Sequence, residues 1–297
     1  MRIMVTGSSS HLAQALLPML CATPAISQVT GIDIKPAAFT DPKFHALQAD
    51  LTQTELAPLL RQQDALIHLA FVVLRGKTPL SVMRSINIDT SMRLFDAATE
   101  SGLARVIHLS SASVYGNGSH LDEHAEFQPV PGFIYAEHKA ELETWLANHH
   151  PQVICLRPHI ILGKHAQPLL LNILRLPFYV QLPDPQPQLQ CIHENDVARA
   201  ILLALTQPAS GAYNLASNAS FSFRAAILQR HRLAIPLPAR LARLSLTLLC
   251  KSTGIGGEAG WIDGVYEDLT LDCSKAQREL GWQAEVGTDA MFSSNQQ

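Results

Sequence analysis

At 297 residues, 47% of them hydrophobic and 16% charged, the chain has the composition of a packed globular protein and lies outside the disordered, collagen-like and coiled-coil classes. Its formal charge of −3 comes without a long Lys/Arg run, so small molecules are the expected partners, and neither nucleic acid nor a membrane is. The cysteines, Cys21, Cys155, Cys191, Cys250 and Cys273, are scattered without a CxxC pair, which argues against a disulfide framework or a zinc site and for free thiols in a reducing compartment.

No apolar run of signal-peptide length precedes Gly7, so a cytoplasmic protein is expected. Short apolar runs then alternate with helical patterns: Ile3 to Val5, a helix from about Leu12 to Cys21, Val29 to Ile32, and a helical stretch from Glu55 to Arg61. The alternation continues through Ala65 to Leu69, a helix from about Val82 to Glu100, Arg105 to Leu109, a helix from Tyr135 to His149, and Val153 to Leu156. Gly102 and Pro151 supply stop signals for the two long helices. Near-continuous apolar strands joined by helices predict an α/β fold with a doubly wound parallel sheet.

Between Gly163 and Pro187 five prolines forbid a long helix or a central strand. Order returns with Leu189 to Ile192, a helix from about Asn195 to Leu205, and a strand around Tyr213 to Leu215, followed by a mostly helical tail. The expected organisation is a dinucleotide-binding domain over 1–163, rejoined at about 189–217, with a smaller, partly helical substrate lobe made of 164–188 and 218–297. The leucine-rich stretch from Leu241 to Cys250 contains Arg243 and is too short to span a bilayer.

The first strand runs into Thr6-Gly7-Ser8-Ser9-Ser10-His11-Leu12-Ala13 and then a helix. Strand, tight turn and helix start arrive in the order a dinucleotide site requires, because amide groups and the positive helix end can hold a pyrophosphate. Gly7, Ser9, Ser10, His11 and Leu12 are the candidates there. Ser10 occupies the position where the usual pattern has a glycine that lets the backbone approach the phosphates. Asp33, closing the second strand, can accept hydrogen bonds from the adenosine ribose and would repel a 2′-phosphate, which favours NAD over NADP. It can also be read as a turn residue before Pro36. Asp50 follows the third strand, and Leu69 and Ala70 follow the fourth, on the carboxyl edge where open α/β sheets bind ligands.

Tyr135 and Lys139 stand four apart at the start of a helix and share one face. A tyrosine titrates near pH ~10 and becomes an acid or base at neutral pH only if positive charge stabilises its anion. Lys139 can supply that charge. An amphipathic helix with a surface lysine has the same spacing, but here the strand from Arg105 to Leu109 also delivers Ser110, Ser111 and Ser113 to the sheet edge. One of these hydroxyls can orient a substrate oxygen toward Tyr135. His108, in an apolar strand, reads as a satisfied core histidine, and Asp196 as a helix cap. No HExxH pattern appears and no metal is expected.

Jointly, TGSSSHLA at Thr6, DALIHLAF at Asp64, NIDT at Asn87, SSASVYG at Ser110, YAEHK at Tyr135, LRPHIILG at Leu156, CIHENDVARA at Cys191 and RELGW at Arg278 resemble the extended short-chain dehydrogenases/reductases, the branch holding the NAD-dependent epimerases and dehydratases of nucleotide sugars. The resemblance implies a Rossmann fold, a bound NAD, and catalytic roles for Ser111, Tyr135 and Lys139. It gives Asp33 the ribose, Asp50 and Leu51 the adenine, and Leu69, Ala70 and Phe71 the central part of the cofactor. Asn87 joins this set, Tyr135 and Lys139 also touch the cofactor, and Pro158 and His159 meet its nicotinamide half. A homodimer built from the helices Val82 to Glu100 and Tyr135 to His149 is a further implication.

Three reactions follow from the resemblance: epimerisation, dehydration and carbonyl reduction. Similar dehydratases carry an acidic pair after the catalytic Ser/Thr, where this chain has Ala112 and Ser113, so dehydration is disfavoured. A nucleotide-sugar epimerase ranks first and a reductase of a small or apolar carbonyl compound close behind. Arg175, Arg224, Arg230 and Arg232 are candidate diphosphate cations or ordinary solvated charges. A non-catalytic redox sensor on the same fold is a third reading, against which the intact Ser111, Tyr135 and Lys139 argue.

Overall fold

The computed structural model describes residues 1–73, 76–166, 176–182, 184–231, 233–238, 240–242, 244–245 and 263–294. Arg175, Arg232, Arg243, Cys250 and most of the stretches 167–182 and 241–250 singled out in the sequence lie outside the described residues.

The chain opens with β1 (Arg2–Thr6), α1 (His11–Ala22), β2 (Gln28–Asp33), β3 (Phe44–Gln48), a single turn α2 (Ala57–Leu60) and β4 (Ala65–His68). It continues through α3 (Leu80–Arg84), a π-helical turn (Ser85–Asp89), α4 (Thr90–Glu100), β5 (Arg105–Leu109), β6 (Gly118–Leu121), α5 (Ile134–His149) and β7 (Ile154–Pro158). Seven strands form one parallel sheet in the order β11-β7-β5-β4-β1-β2-β3, with β11 spanning Ala212–Leu215. Ile3, Val5, Ile67, Ile107 and Leu156 pack on the side of α1 and of α6 (Glu194–Thr206), whereas Met4, Leu66, Val106 and Cys155 pack on the side of α4 and α5. A sheet covered on both faces needs apolar side chains at successive positions, and the doubly wound parallel sheet read from the sequence is present.

The elements that depart from the reading do so for local reasons. β3 lies at the sheet edge and buries only Phe44 fully, so it lacks a continuous apolar run. The helical stretch expected from Glu55 to Arg61 shrinks to α2, which opens on Pro58 at its start. The helix expected from Val82 begins at Leu80 and is interrupted by the π turn. Asp196 does not cap α6: His193 Nδ1 accepts from the Asn195 amide at 3.2 Å, and the buried Asp196 carboxylate instead receives the amides of Glu285 and Val286. Sequence position alone cannot reveal that long-range partner.

Among the described residues three two-stranded parallel ribbons accompany the main sheet: β8 (Ile160–Leu162) with β10 (Cys191–His193), β9 (Phe178–Gln181) with β12 (Ile235–Pro238), and β13 (Leu269–Leu271) with β6. Helix α7 (Phe223–Arg230) packs on β9 and α9 (Thr288–Ser294) on β10, whereas α8 (Ser274–Leu280) packs on β11 and α6. Among the described residues no helix is long and apolar enough to cross a membrane.

The strand order reverses between β1 and β4, and a crevice opens at the carboxyl ends of strands at such a switch point. Gly7, with φ +70°, leaves β1 there. A Cβ at Gly7 would stand 2.6 Å from the Ala70 amide nitrogen, so only glycine allows the two loops to touch. Gly7→Ala should therefore cost about 1–3 kcal/mol, the range for a left-handed residue bearing a side chain. An unchanged urea midpoint would contradict this packing.

Candidate active site

The turn after β1 shows why serine serves at position 10. Ser10 has φ −71° and ψ 165°, an extended conformation open to any residue, and its hydroxyl caps α1 by accepting from the Ala13 amide at 3.4 Å. The amides of His11 and Leu12 fall in the first turn, where a helix supplies no acceptors of its own. Ser9 is committed elsewhere: its amide donates to Asp33 Oδ2 at 2.9 Å and its hydroxyl reaches the Lys35 and Pro36 carbonyls. Asp33 Oδ1 also accepts from the Lys35 amide at 2.9 Å. Asp33 is thus a turn residue, and its oxygens keep lone pairs for further donors. Asp50 is exposed and accepts from the Thr52 amide, while Leu51 is buried against Leu56 and Leu60.

Across the switch point, Leu69 is buried, and Ala70 and Phe71 line the edge. Asn87 presents its side chain from the π turn, accepting from the Val72 amide at 2.7 Å and donating to the Val72 carbonyl at 3.1 Å. It anchors the segment after β4, which is how a π turn at a functional edge re-aims one side chain. Pro158 is buried at the end of β7. His159 spends both ring nitrogens, Nε2 on the Leu269 carbonyl at 2.9 Å and Nδ1 on the Ile160 amide at 2.8 Å. Burial pushes its imidazole down to about 4, so it stays neutral.

Ser111, Tyr135 and Lys139 converge. Lys139 is buried, donates to the Leu109 carbonyl at 2.5 Å, and has its Nζ 3.5 Å from the centroid of the Phe71 ring. The same ring meets Tyr135 edge to face at 5.7 Å, and Lys139 Nζ lies 5.8 Å from the Tyr135 centroid. Burial pushes the Tyr135 phenol up to about 12, against a hydrogen bond with Ser111 that lowers it. Burial also brings Lys139 down to about 7, with Glu143 opposing. The protein alone therefore holds Tyr135 protonated at neutral pH, and added positive charge is required to make it a base. The serines divide their work: Ser110 Oγ donates to Glu143, whereas Ser111 opens a short helical turn and accepts from the Ser113 amide and hydroxyl.

Sequence reasoning missed the support beneath this trio. Glu143, one turn beyond Lys139 on α5, forms a buried ion pair with Arg157, whose Nη2 lies 2.7 Å from Oε2 and whose Nε contacts both carboxylate oxygens. Arg157 Nη1 also donates to the Tyr115 hydroxyl at 2.6 Å, and Tyr115 donates to Asn214 Oδ1 at 2.8 Å. An arginine inside the otherwise apolar β7 was the available signal. His108 is a core residue, yet neither of its ring nitrogens has a partner, contrary to the satisfied histidine expected. It stacks on His68 at 5.6 Å, and burial, reinforced by Lys139, drives its pKa well down.

Removing one partner of a buried pair leaves a charge uncompensated and costs about 3–5 kcal/mol. Glu143→Gln is expected to lower the urea midpoint accordingly. The loss of a carboxylate that favours the ammonium should also move Lys139 to a lower pKa, shifting the alkaline limb of its titration, followed by nitrogen NMR, to lower pH. An unmoved titration would make Glu143 purely structural.

The NAD dependent epimerase/dehydratase family matches residues 3–216 of this chain. Over its length the chain is similar to a dTDP-D-glucose 4,6-dehydratase of Mus musculus, 21% identical across 96% of this chain and 84% of the relative. It is also similar to a 4-hydroxy-2-methyl-3-oxo-4-farnesyl-3,4-dihydroquinoline-1-oxide ketoreductase of Stigmatella aurantiaca, 24% identical across 98% of this chain and 96% of that one. A solved UDP-glucuronic acid 4-epimerase from Bacillus cereus, in complex with UDP-glucuronic acid and NAD, shares the fold with a TM-score of 0.75 at 20% identity, covering 99% and 98% of the two chains. With the match running through the turn after β1, the Ser111 loop, the Tyr135 helix and β7, the chain belongs to the NAD dependent epimerase/dehydratase family, a family of enzymes.

Proposed function

We propose that this enzyme binds NAD at the switch point of its sheet and uses Ser111, Tyr135 and Lys139 to oxidise and re-reduce a carbinol carbon of a nucleotide sugar, as an epimerase. The observation that carries this reading is the convergence of the phenol, the buried ammonium and the Ser111 hydroxyl on the sheet edge beside the turn after β1. The residues present fit the cofactor. Glycine at position 7 lets the turn pack directly against the Ala70 backbone, the His11 and Leu12 amides suit a pyrophosphate, and Asp33 suits the ribose.

When bound, NAD supplies the acceptor and donor for hydride and a positive ring beside the phenol. Ser111 holds the substrate oxygen, Tyr135 removes its proton and later returns it, and Lys139 stabilises the phenolate. We assign residues 164–188 and 218–297 to the substrate lobe, and the helices over Val82 to Glu100 and Tyr135 to His149 to the face of a cytoplasmic homodimer. Ala112 and Ser113 bring no carboxylate next to Ser111, which disfavours dehydration despite the dehydratase among the relatives.

Reduction of an apolar carbonyl compound is the second reading. The similar ketoreductase, aligned over nearly the whole of both chains, and the exposed Leu176 and Phe178 of the lobe favour it.

The purified protein should retain NAD. Challenge with UDP-sugars should interconvert one of them without net release of NADH, whereas net redox change with a panel of ketones would shift the assignment to the reductase, and NAD binding without any turnover would overturn both. Tyr135→Phe is expected to lower turnover by about a hundredfold or more, the usual contribution of a general acid/base, with NAD affinity nearly unchanged. Full activity of that variant would reject the catalytic assignment. NAD should bind more tightly than NADP, and Asp33→Ala should narrow the difference by weakening NAD; titration of both cofactors against both proteins tests this.

A further inference from the structure

One aromatic side chain touches both the phenol and the ammonium of the site. Phe71 lies just beyond the end of β4, and its place is set by neighbours from two other elements: Asn87, in the π turn, holds both the amide and the carbonyl of the next residue, Val72, and His108, on β5, has its ring centroid 6.4 Å from that of Phe71. Lys139 Nζ stands 3.5 Å from the Phe71 centroid. An approach that close is possible only over the face of the ring, since in the ring plane the ring's own atoms would intervene, and the face is the negative side of the aromatic quadrupole. Tyr135 meets the same ring at 5.7 Å with the two planes 87° apart, the perpendicular arrangement that aromatic pairs favour.

The other groups around the ammonium do little to hold its charge. His68 on β4 and His108 on β5 are neutral, and Lys139 pushes both further from protonation. Cys155 on β7 is held as a thiol by burial, and Tyr135 as a phenol. Glu143 is the one carboxylate among these groups, and it is shared with Arg157 and Ser110. The Leu109 carbonyl takes one of the three ammonium protons. With burial bringing Lys139 down to about 7, its charge at neutral pH is poised, and a further stabilising contact decides it.

We propose that Phe71 is a positioning residue that acts through Lys139: the face of its ring keeps the ammonium charged, and its perpendicular contact holds Tyr135 alongside that charge. An aliphatic side chain offers no negative face, and a carboxylate in its place would repel the phenolate. The consequence for turnover rests on the roles proposed above for Tyr135 and Lys139, whereas the charge held on Lys139 does not.

The test is the titration of the Lys139 amine in the full chain, stripped of nucleotide with charcoal and followed by nitrogen NMR of lysine-labelled protein, with Lys139→Arg identifying the signal. Phe71→Leu is expected to lower the midpoint by about one pH unit or more, the shift that loss of a desolvated cation–π contact produces. Phe71→Tyr, which keeps the ring face, should stay within about 0.3 of the parent midpoint. A ring that served only to exclude water would give the opposite sign, because the smaller leucine would admit water and raise the midpoint. Phe71→Met takes the place of the leucine variant should that variant's melting curve show that it does not fold. With NAD added back and a UDP-sugar as substrate, the alkaline limb of the kcat/KM profile of Phe71→Leu should move to lower pH by the same amount, since the neutral amine no longer stabilises the phenolate. A midpoint that rises or stays in Phe71→Leu, or that falls equally in Phe71→Tyr, would overturn the proposal whether or not the protein interconverts a sugar. A midpoint that falls in Phe71→Leu alone supports it even in a protein that interconverts none, an outcome that would count against the epimerase reading by itself.

Discussion

The site depends on burying an ammonium at the end of a parallel sheet. Away from water such a charge is costly, and the structure compensates it in layers: a carbonyl at the end of β5, the face of Phe71, and the field of Glu143 one helical turn away. Glu143 in turn needs Arg157, and Arg157 fixes Tyr115 in the loop that presents Ser111. A single network therefore links the helix bearing Tyr135 and Lys139 to the strand-end loop bearing Ser111, and through Asn214 to the sheet-edge strand β11. Buried ion pairs contribute little net stability compared with an apolar substitute. Here the pair locks three separately encoded segments into one arrangement.

Much of this was legible in the sequence, for identifiable reasons. Residues on β1, β4, β5 and β7 are apolar at successive positions because helices cover both faces, so periodicity alone located these strands to within two residues. The Tyr135 and Lys139 pairing was legible because both lie on one helix, where spacing fixes geometry. What could not be read involved partners distant in the chain. Asp196 looks like a local cap, yet its acceptors serve amides some ninety residues later. Glu143 and Arg157 are ordinary charged residues until folding brings α5 and β7 together. The third strand could be placed ahead of Asp50 but without bounds, because an edge strand needs no continuous apolar run.

Phe71 gives the crevice its particular character. Its ring contacts both the ammonium and the tyrosine, and beneath it lie two stacked imidazoles, one of them with no hydrogen-bond partner. Burial drives His68 down to about 3 and His108 lower than its ordinary value, with Lys139 reinforcing both shifts. The floor of the site is thus aromatic and neutral, and Lys139 is the positive centre among these groups. Charge brought in by a ligand would act on the phenol through a poorly screening medium, which makes the acidity of Tyr135 sensitive to what occupies the crevice.

The π turn between α3 and α4 sets a different kind of limit. It gives one stretch of helix two separate grips: Arg84 ahead of it reaches Glu141 through Nη1 and Nη2, while Asn87 inside it reaches Val72. A π turn holds one residue more than an α turn, so deleting one residue between Ser85 and Asp89 would close it to a regular helix and withdraw Asn87 from Val72. One of those two grips would then be lost. The rod tolerates changes of side chain more readily than a change of length, because its residue count is what aims it.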